Sequence, residues 1–174
     1  MATRIVILGR PGVGKTTLVR RVSERFPGLF RGFYTEEIRE KNVRTGFRIV
    51  TLSGEEGTLA LRGASSPFRV GNYAVFPEEL EEVALPELEE AIRLSVPCLV
   101  DELGKMEFFS QRFAETLKAL WESVPLLLAT TRFPEIPEVR GLLKGVHRFL
   151  LTPQNREAIF SQVVHAIEAF TKEG

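Results

Sequence analysis

Gly9-Arg10-Pro11-Gly12-Val13-Gly14-Lys15-Thr16 is the stretch on which the reading of this chain turns. It has the form G-x-x-x-x-G-K-[ST]. Ile5-Val6-Ile7-Leu8 runs straight into it, an apolar and largely β-branched run suited to a strand buried on both faces. Thr16 to Phe26 reads as a helix, stopped by Pro27-Gly28. A strand, a glycine-rich turn and a helix in that order predict a loop that wraps phosphate. Glycine opens backbone angles closed to other residues, so successive amide N–H groups can point at phosphate oxygens. The helix N-terminus adds partial positive charge and unpaired donors. Lys15 offers a point charge to β- and γ-phosphates, and Thr16 a hydroxyl to Mg²⁺. Thr17 follows directly and completes the expected nucleotide-binding run, Gly9 to Thr17.

Such a loop needs an acid at the end of a neighbouring strand to hold Mg²⁺ through its water shell. Val96 to Val100 leads into Asp101 and fits that need. Glu102 comes next, where many ATPases of this type keep the base that orients the attacking water. Strand alternation would send the two side chains different ways. Asp101 and Thr16 are thus the expected metal ligands, and Glu102 and Lys15 the expected catalytic groups. Thr130 and Thr131 end the run Leu126 to Ala129, where a hydroxyl can touch the γ-phosphate or merely cap a turn. Arg132 follows, either an exposed structural arginine or a group that steadies charge on phosphate.

Further strands are expected at Gly32 to Ile38, Thr45 to Leu52 and Gly57 to Leu61, with a turn at Lys41-Asn42. They read as hairpins inserted into an α/β pattern. Residues 63–77 look like loop, with a short strand at Tyr73 to Val75. Glu78 to Leu94 reads as helix broken near Pro86. Ser110 to Ser123 and Gln154 to Lys172 are amphipathic helices, and Val146 to Leu151 is a last strand. The expected fold class is α/β: a three-layer P-loop NTPase sandwich, one domain over 1–174, with a mostly parallel central sheet and a β-hairpin insertion.

The 174 residues are 44% hydrophobic and 26% charged with net charge zero, so no global charge points to nucleic acid or membrane. Residues 1–50 carry eleven Lys or Arg against four Glu, in keeping with a phosphate-binding end. Residues 78–90 carry seven Glu and no basic residue, which reads as a solvated helix face. Cys98 is the single cysteine, so an intrachain disulfide is excluded, and it reads as a small buried hydrophobe. Ile5 to Leu8 is too short for a secretory leader, and no apolar stretch nears the roughly 20 residues of a membrane span. A cytoplasmic monomer is expected.

Four stretches in order carry a resemblance: Gly-Arg-Pro-Gly-Val-Gly-Lys-Thr-Thr (9–17), Gly-Phe-Tyr-Thr-Glu-Glu (32–37), Val-Asp-Glu-Leu-Gly-Lys-Met-Glu (100–107) and Thr-Pro-Gln-Asn-Arg (152–156). Together they resemble the small P-loop nucleoside-triphosphatase family that includes cancer-related nucleoside-triphosphatase. Stretch 100–107 is the most specific of them. The resemblance implies Mg²⁺-dependent hydrolysis of ATP, GTP, CTP and UTP to the diphosphate and phosphate with loose base selectivity. It implies that Lys15 and Thr16 serve phosphate and metal, and that Asp101 and Glu102 serve the Mg²⁺ and the water. It places Asn155 and Arg156 near the nucleobase; the residues alone equally allow the pair simply to open the last helix. Lys105 and Glu107 either tune the acidic pair or face each other on the surface.

Three other readings compete. A nucleotide or small-molecule kinase would use the same loop, with Arg132, Arg140, Lys144 and Arg148 as a lid. A GTP switch would need a guanine-reading N-K-x-D motif, which the chain lacks. A nucleotide-regulated module would bind RNA or protein through the hairpins, where Phe33, Tyr34 and Phe47 interleave with Arg31, Arg39, Arg44 and Arg48. The simpler expectation for those hairpins is aromatic rings inward and arginines outward.

Overall fold

The computed structural model describes residues 2–173. Strand β1 (Thr3–Gly9) is fully enclosed along Ile5, Val6 and Ile7. Its side chains divide by alternation. Val6 and Leu8 enter one core, and Ile5 and Ile7 enter the other. The strands β7 (Cys98–Val100) and β8 (Leu126–Arg132) split in the same way, which is why these runs are apolar at nearly every position. Cys98 is buried in the first core, and burial pushes its thiol pKa up.

Helices cover both faces. One layer is α1 (Lys15–Arg25) with α6 (Arg156–Glu173), which meet through Leu18, Val22, Val163 and Ile167. The other layer holds α2 (Pro77–Val83), α3 (Leu85–Leu94) and α4 (Gln111–Ser123). Ser110 caps α4 by accepting a hydrogen bond from Phe113 N, which satisfies one of the helix's free first-turn donors. Phe113 then sits edge-on to Phe33 and Phe108 in that core. The fold is the expected three-layer α/β sandwich.

The sheet has nine strands in the order β5-β6-β4-β3-β2-β7-β8-β1-β9. β2 (Arg31–Glu40), β7, β8, β1 and β9 (His147–Leu151) are parallel neighbours. β3 (Val43–Thr51), β4 (Glu56–Arg62), β5 (Phe68–Val70) and β6 (Tyr73–Val75) extend it as an antiparallel wing. The hairpin insertion is therefore continuous with the central sheet, because β2 belongs to both parts. Arg31–Phe33 pairs with β7, and Phe33–Glu40 pairs with β3 on the other side.

Some elements differ from expectation. Phe68–Val70 pairs with β6, although the segment reads as loop; three residues between Pro67 and Gly71 are too few for a periodic signal. The expected break in the acidic helix is present and falls at Ala84, with Pro86 in the first turn of the second half, which needs no amide donor there. A short helix α5 (Pro137–Arg140) fills a segment the sequence left unassigned. The acidic face is only partly solvated: Glu79 accepts from Thr58 N, Glu81 accepts from Ser110 Oγ, and Glu87 pairs with Arg31.

Gly32 is where β2 meets β7 too closely for any side chain. Its φ is +127°, and a Cβ there would lie 1.9 Å from Leu99 O. Gly32→Ala should cost about 3 kcal/mol, from a closed backbone region and a clash with an immovable carbonyl. Urea unfolding followed by circular dichroism measures the loss.

Candidate active site

Gly12 and Gly14 hold φ at +81° and +107°, so the loop turns through angles that L side chains rarely adopt. Gly9 is tied to what surrounds it: a Cβ there would sit 2.6 Å from Val13 Cγ1. Lys15 is the first residue of α1 and nearly buried. Its ammonium donates to Gly9 O at 2.7 Å and Arg10 O at 3.2 Å, which keeps it inside the loop's curve. Burial lowers its pKa, and the carboxylates of Glu102 and Asp101 oppose that shift.

Asp101 is 1% exposed and held on every side. Thr16 Oγ1 donates to its Oδ2 at 2.7 Å, Thr35 N donates to the same oxygen at 3.2 Å, and Thr130 Oγ1 donates to Oδ1. Burial still pushes its pKa up, against those hydrogen bonds. A hydroxyl and a carboxylate in contact are the hard oxygen donors that Mg²⁺ takes alongside phosphate and water. The residues present fit that ion, and no cluster of three His, Cys, Asp or Glu suited to an all-protein metal site occurs among the described residues.

Glu102 is half-buried and faces the same cavity. Strand alternation does not separate it from Asp101, because β7 ends at Val100. Burial and then the Asp101 charge push its pKa up to about 7. Glu107 is not a surface partner of Lys105. It is 3% exposed, at the turn that follows Gly104. Burial and then the Glu102 charge raise its pKa well above the usual range. A Cβ on Gly104 would lie 2.8 Å from Glu107 Oε1 and 3.2 Å from Glu102 Cδ, so the absence of a side chain lets the two glutamates flank it.

Thr130 and Thr131 lie within β8, not past its end. Thr130 clamps Asp101, and Thr131 Oγ1 donates to Leu103 O at 2.9 Å. Their hydroxyls thus fix the 101–103 segment from below. Nothing in the spacing of two threonines after an apolar run could distinguish that role from a turn cap.

The cavity over this cluster has a volume of about 500 Å³. One wall is the loop with Lys15 and Thr16, another is Asp101, Glu102 and Arg132, and the far wall is Phe47, Leu59 and Val70 from the antiparallel wing. A second cavity of about 300 Å³ lies beside Gly12, Gly14 and Thr17, with Leu18, Arg21 and Arg156. Arg156 Nε donates to Val13 O at 3.0 Å, across the loop. Asn155 is turned the other way: its Oδ1 accepts from Thr152 N at 2.7 Å and its Nδ2 donates to Leu150 O at 2.9 Å. It holds the turn that presents Arg156.

The hairpin arginines are matched by acids. Arg39 and Arg44 pair with Glu37, Arg48 and Arg20 with Glu36, and Arg31 with Glu87. Phe33 is fully buried, and Phe47 packs on Tyr73. No helix among the described residues is long and apolar enough to cross a membrane.

Three acids with raised pKa values on one cavity make folding depend on pH. Each carries a folded pKa above its ordinary value, so the folded state binds more protons than the unfolded chain. Stability is then highest below about 4.5 and falls as pH climbs through the raised values, to about 7 for Glu102. For a chain of this size each kcal/mol moves Tm by about 2–4 °C. Metal-free, nucleotide-free protein should melt several degrees lower at pH 8 than at pH 5. Glu107→Gln should reduce that difference in scanning calorimetry.

A family model described as NTPase matches residues 4–164. Nucleoside-triphosphatase THEP1 of Thermotoga petrophila is 41% identical over 95% of this chain and 93% of its own length. The crystal structure of THEP1 from Aquifex aeolicus superposes with a TM-score of 0.85 at 36% identity, covering 92% of this chain and 96% of that one. The solution structure of a human cancer-related nucleoside triphosphatase gives 0.82 at 36% identity, over 97% and 98%. The chain belongs to this family of nucleoside-triphosphatases.

Proposed function

We propose that this protein hydrolyses nucleoside triphosphates at the γ-phosphate, with Mg²⁺ and little choice of base. The observation that carries the reading is the meeting of Lys15, Thr16, Asp101 and Glu102 on one cavity at the glycine-rich loop. Backbone amides of the loop and Lys15 hold the β- and γ-phosphates. Thr16 and, through water, Asp101 would hold the Mg²⁺, which when bound neutralises phosphate charge. Glu102 takes a proton from water as its oxygen attacks the γ-phosphorus. The bond to the β–γ bridging oxygen breaks, and nucleoside diphosphate leaves. Catalysis of this kind is mostly positioning and charge stabilisation.

The smaller cavity supports loose base selectivity. Arg156 offers a guanidinium plane and Leu18 an apolar surface, which suit any base, while Arg21 is paired with Glu157 and stacked on Phe160 beside them. Its lining has no side-chain amide or carboxylate to read a base edge. Asn155 serves the base indirectly, by fixing the turn before Arg156.

Phosphate release from ATP, GTP, CTP and UTP with Mg²⁺, and no acceptor added, tests the reading. Comparable release from all four supports it. Binding without release in any of them overturns it. The apolar far wall at Phe47, Leu59 and Val70 favours one second reading, transfer to a small acceptor, which added hydroxyl compounds would reveal as a labelled ester. The hairpin module reading has less support, since its arginines are already paired.

A further inference from the structure

Arg132 is the last residue of β8, and it stands in register with Gly9, the first residue of the phosphate loop. The next residue locks that register: Phe133 N donates to Gly9 O at 3.0 Å. The guanidinium therefore enters the site from a strand end pinned to the loop itself. It lines the large cavity together with Lys15 and Glu102. Its charge acts on both, lowering the pKa of each.

Among the described residues, Arg132 Nε is the one buried side-chain nitrogen or oxygen without a hydrogen-bond partner. Arg132 also makes no salt bridge to any described residue, although Glu102 is close enough to feel its charge. A buried donor left unpaired is costly, so its persistence needs a reason. Arg20 and Arg44, the other arginines that line this cavity, are paired with Glu36 and Glu37. Arg132 alone of these is kept free on the wall where the γ-phosphate would lie.

We propose that Arg132 is the catalytic arginine of this site, supplied by the chain itself, and that it binds the equatorial oxygens of the γ-phosphoryl group as charge spreads over them. The proposal rests on the hydrolase reading above for the placement of the γ-phosphate. Its chemical consequence is that no partner protein has to insert an arginine for turnover. A planar guanidinium suits the task because it presents several donors in a fixed fork to phosphate oxygens. Held by a strand end rather than a mobile loop, it is already positioned before the reaction begins.

Two measurements decide it. The first uses the unaltered protein alone with MgADP and aluminium fluoride, which mimics the planar phosphoryl group. A stable complex without any partner is expected, since a built-in arginine completes the site. Binding of MgADP with no retention of aluminium fluoride overturns the proposal. The second compares Arg132→Ala and Arg132→Lys. Alanine should lower kcat by about 10³-fold, the lower end for such arginines, while Kd for a non-hydrolysable triphosphate changes less than about tenfold. Lysine should recover little, because a point charge cannot reproduce the fork. Added guanidinium ion at millimolar concentration should restore part of the alanine variant's rate. A kcat within tenfold of the unaltered protein, or a Kd that rises as much as kcat falls, overturns the assignment. If the unaltered protein releases no phosphate at all, the hydrolase reading itself has failed.

Discussion

Glu102→Gln should lose 10²–10⁴-fold in turnover, about the range for a missing general base, and keep its affinity for triphosphate. Glutamine has the same shape and no basic oxygen, so the wall of the cavity stays intact. It cannot take a proton from water. The half-buried position matters here, because a carboxylate in bulk solvent at its ordinary pKa is a weak base. Burial and the Asp101 charge raise Glu102 to about 7, close to where a base is both ionised and strong. In the unaltered protein kcat/KM should therefore rise with pH through that value. The glutamine variant should lack the rising limb. Stopped-flow phosphate release across pH 5.5–9 measures both. Wild-type turnover in the variant would remove Glu102 from the mechanism.

Lys15→Ala should damage both binding and turnover. The ammonium is nearly buried and curls within the loop it serves, held by the carbonyls of Gly9 and Arg10. Removing it leaves those carbonyls facing phosphate oxygens with no cation between them. Losing a fixed charge-stabilising donor costs roughly 10²–10³ in kcat, and Kd for the triphosphate should rise as well. That joint effect separates Lys15 from Glu102, whose loss touches turnover alone. Equilibrium binding of a fluorescent triphosphate beside phosphate release tells the two patterns apart. Lys15→Arg should not rescue, because the loop's curve is filled by a slender chain and a guanidinium is too broad.

What was legible in the chain was local. Runs such as Ile5 to Leu8 and Leu126 to Ala129 are apolar at every position, and only a strand covered on both faces explains them. The loop's glycines announce backbone angles that few other residues adopt, and Gly12 and Gly14 hold them. Asp101 at a strand's carboxyl end follows from the same logic. Short or weakly periodic pieces were illegible. Phe68–Val70 owes its strand to pairing with β6, and Pro137–Arg140 to packing of Val139 and Ile136 into the core.

The order of strand, loop and helix, and the alternating burial that makes three layers, are written in the chain itself. These are consequences of backbone angles and periodicity, which act over neighbouring residues. The tertiary structure alone decided which distant side chains share the cavity. Thr130 steadies Asp101 because β8 lies beside β7, and Glu107 presses on Glu102 because Gly104 leaves room for both. Arg132 stands free at the loop because β8 pairs with β1 in a register that puts it opposite Gly9. Register and burial join residues far apart in the chain, and no local pattern encodes such distances.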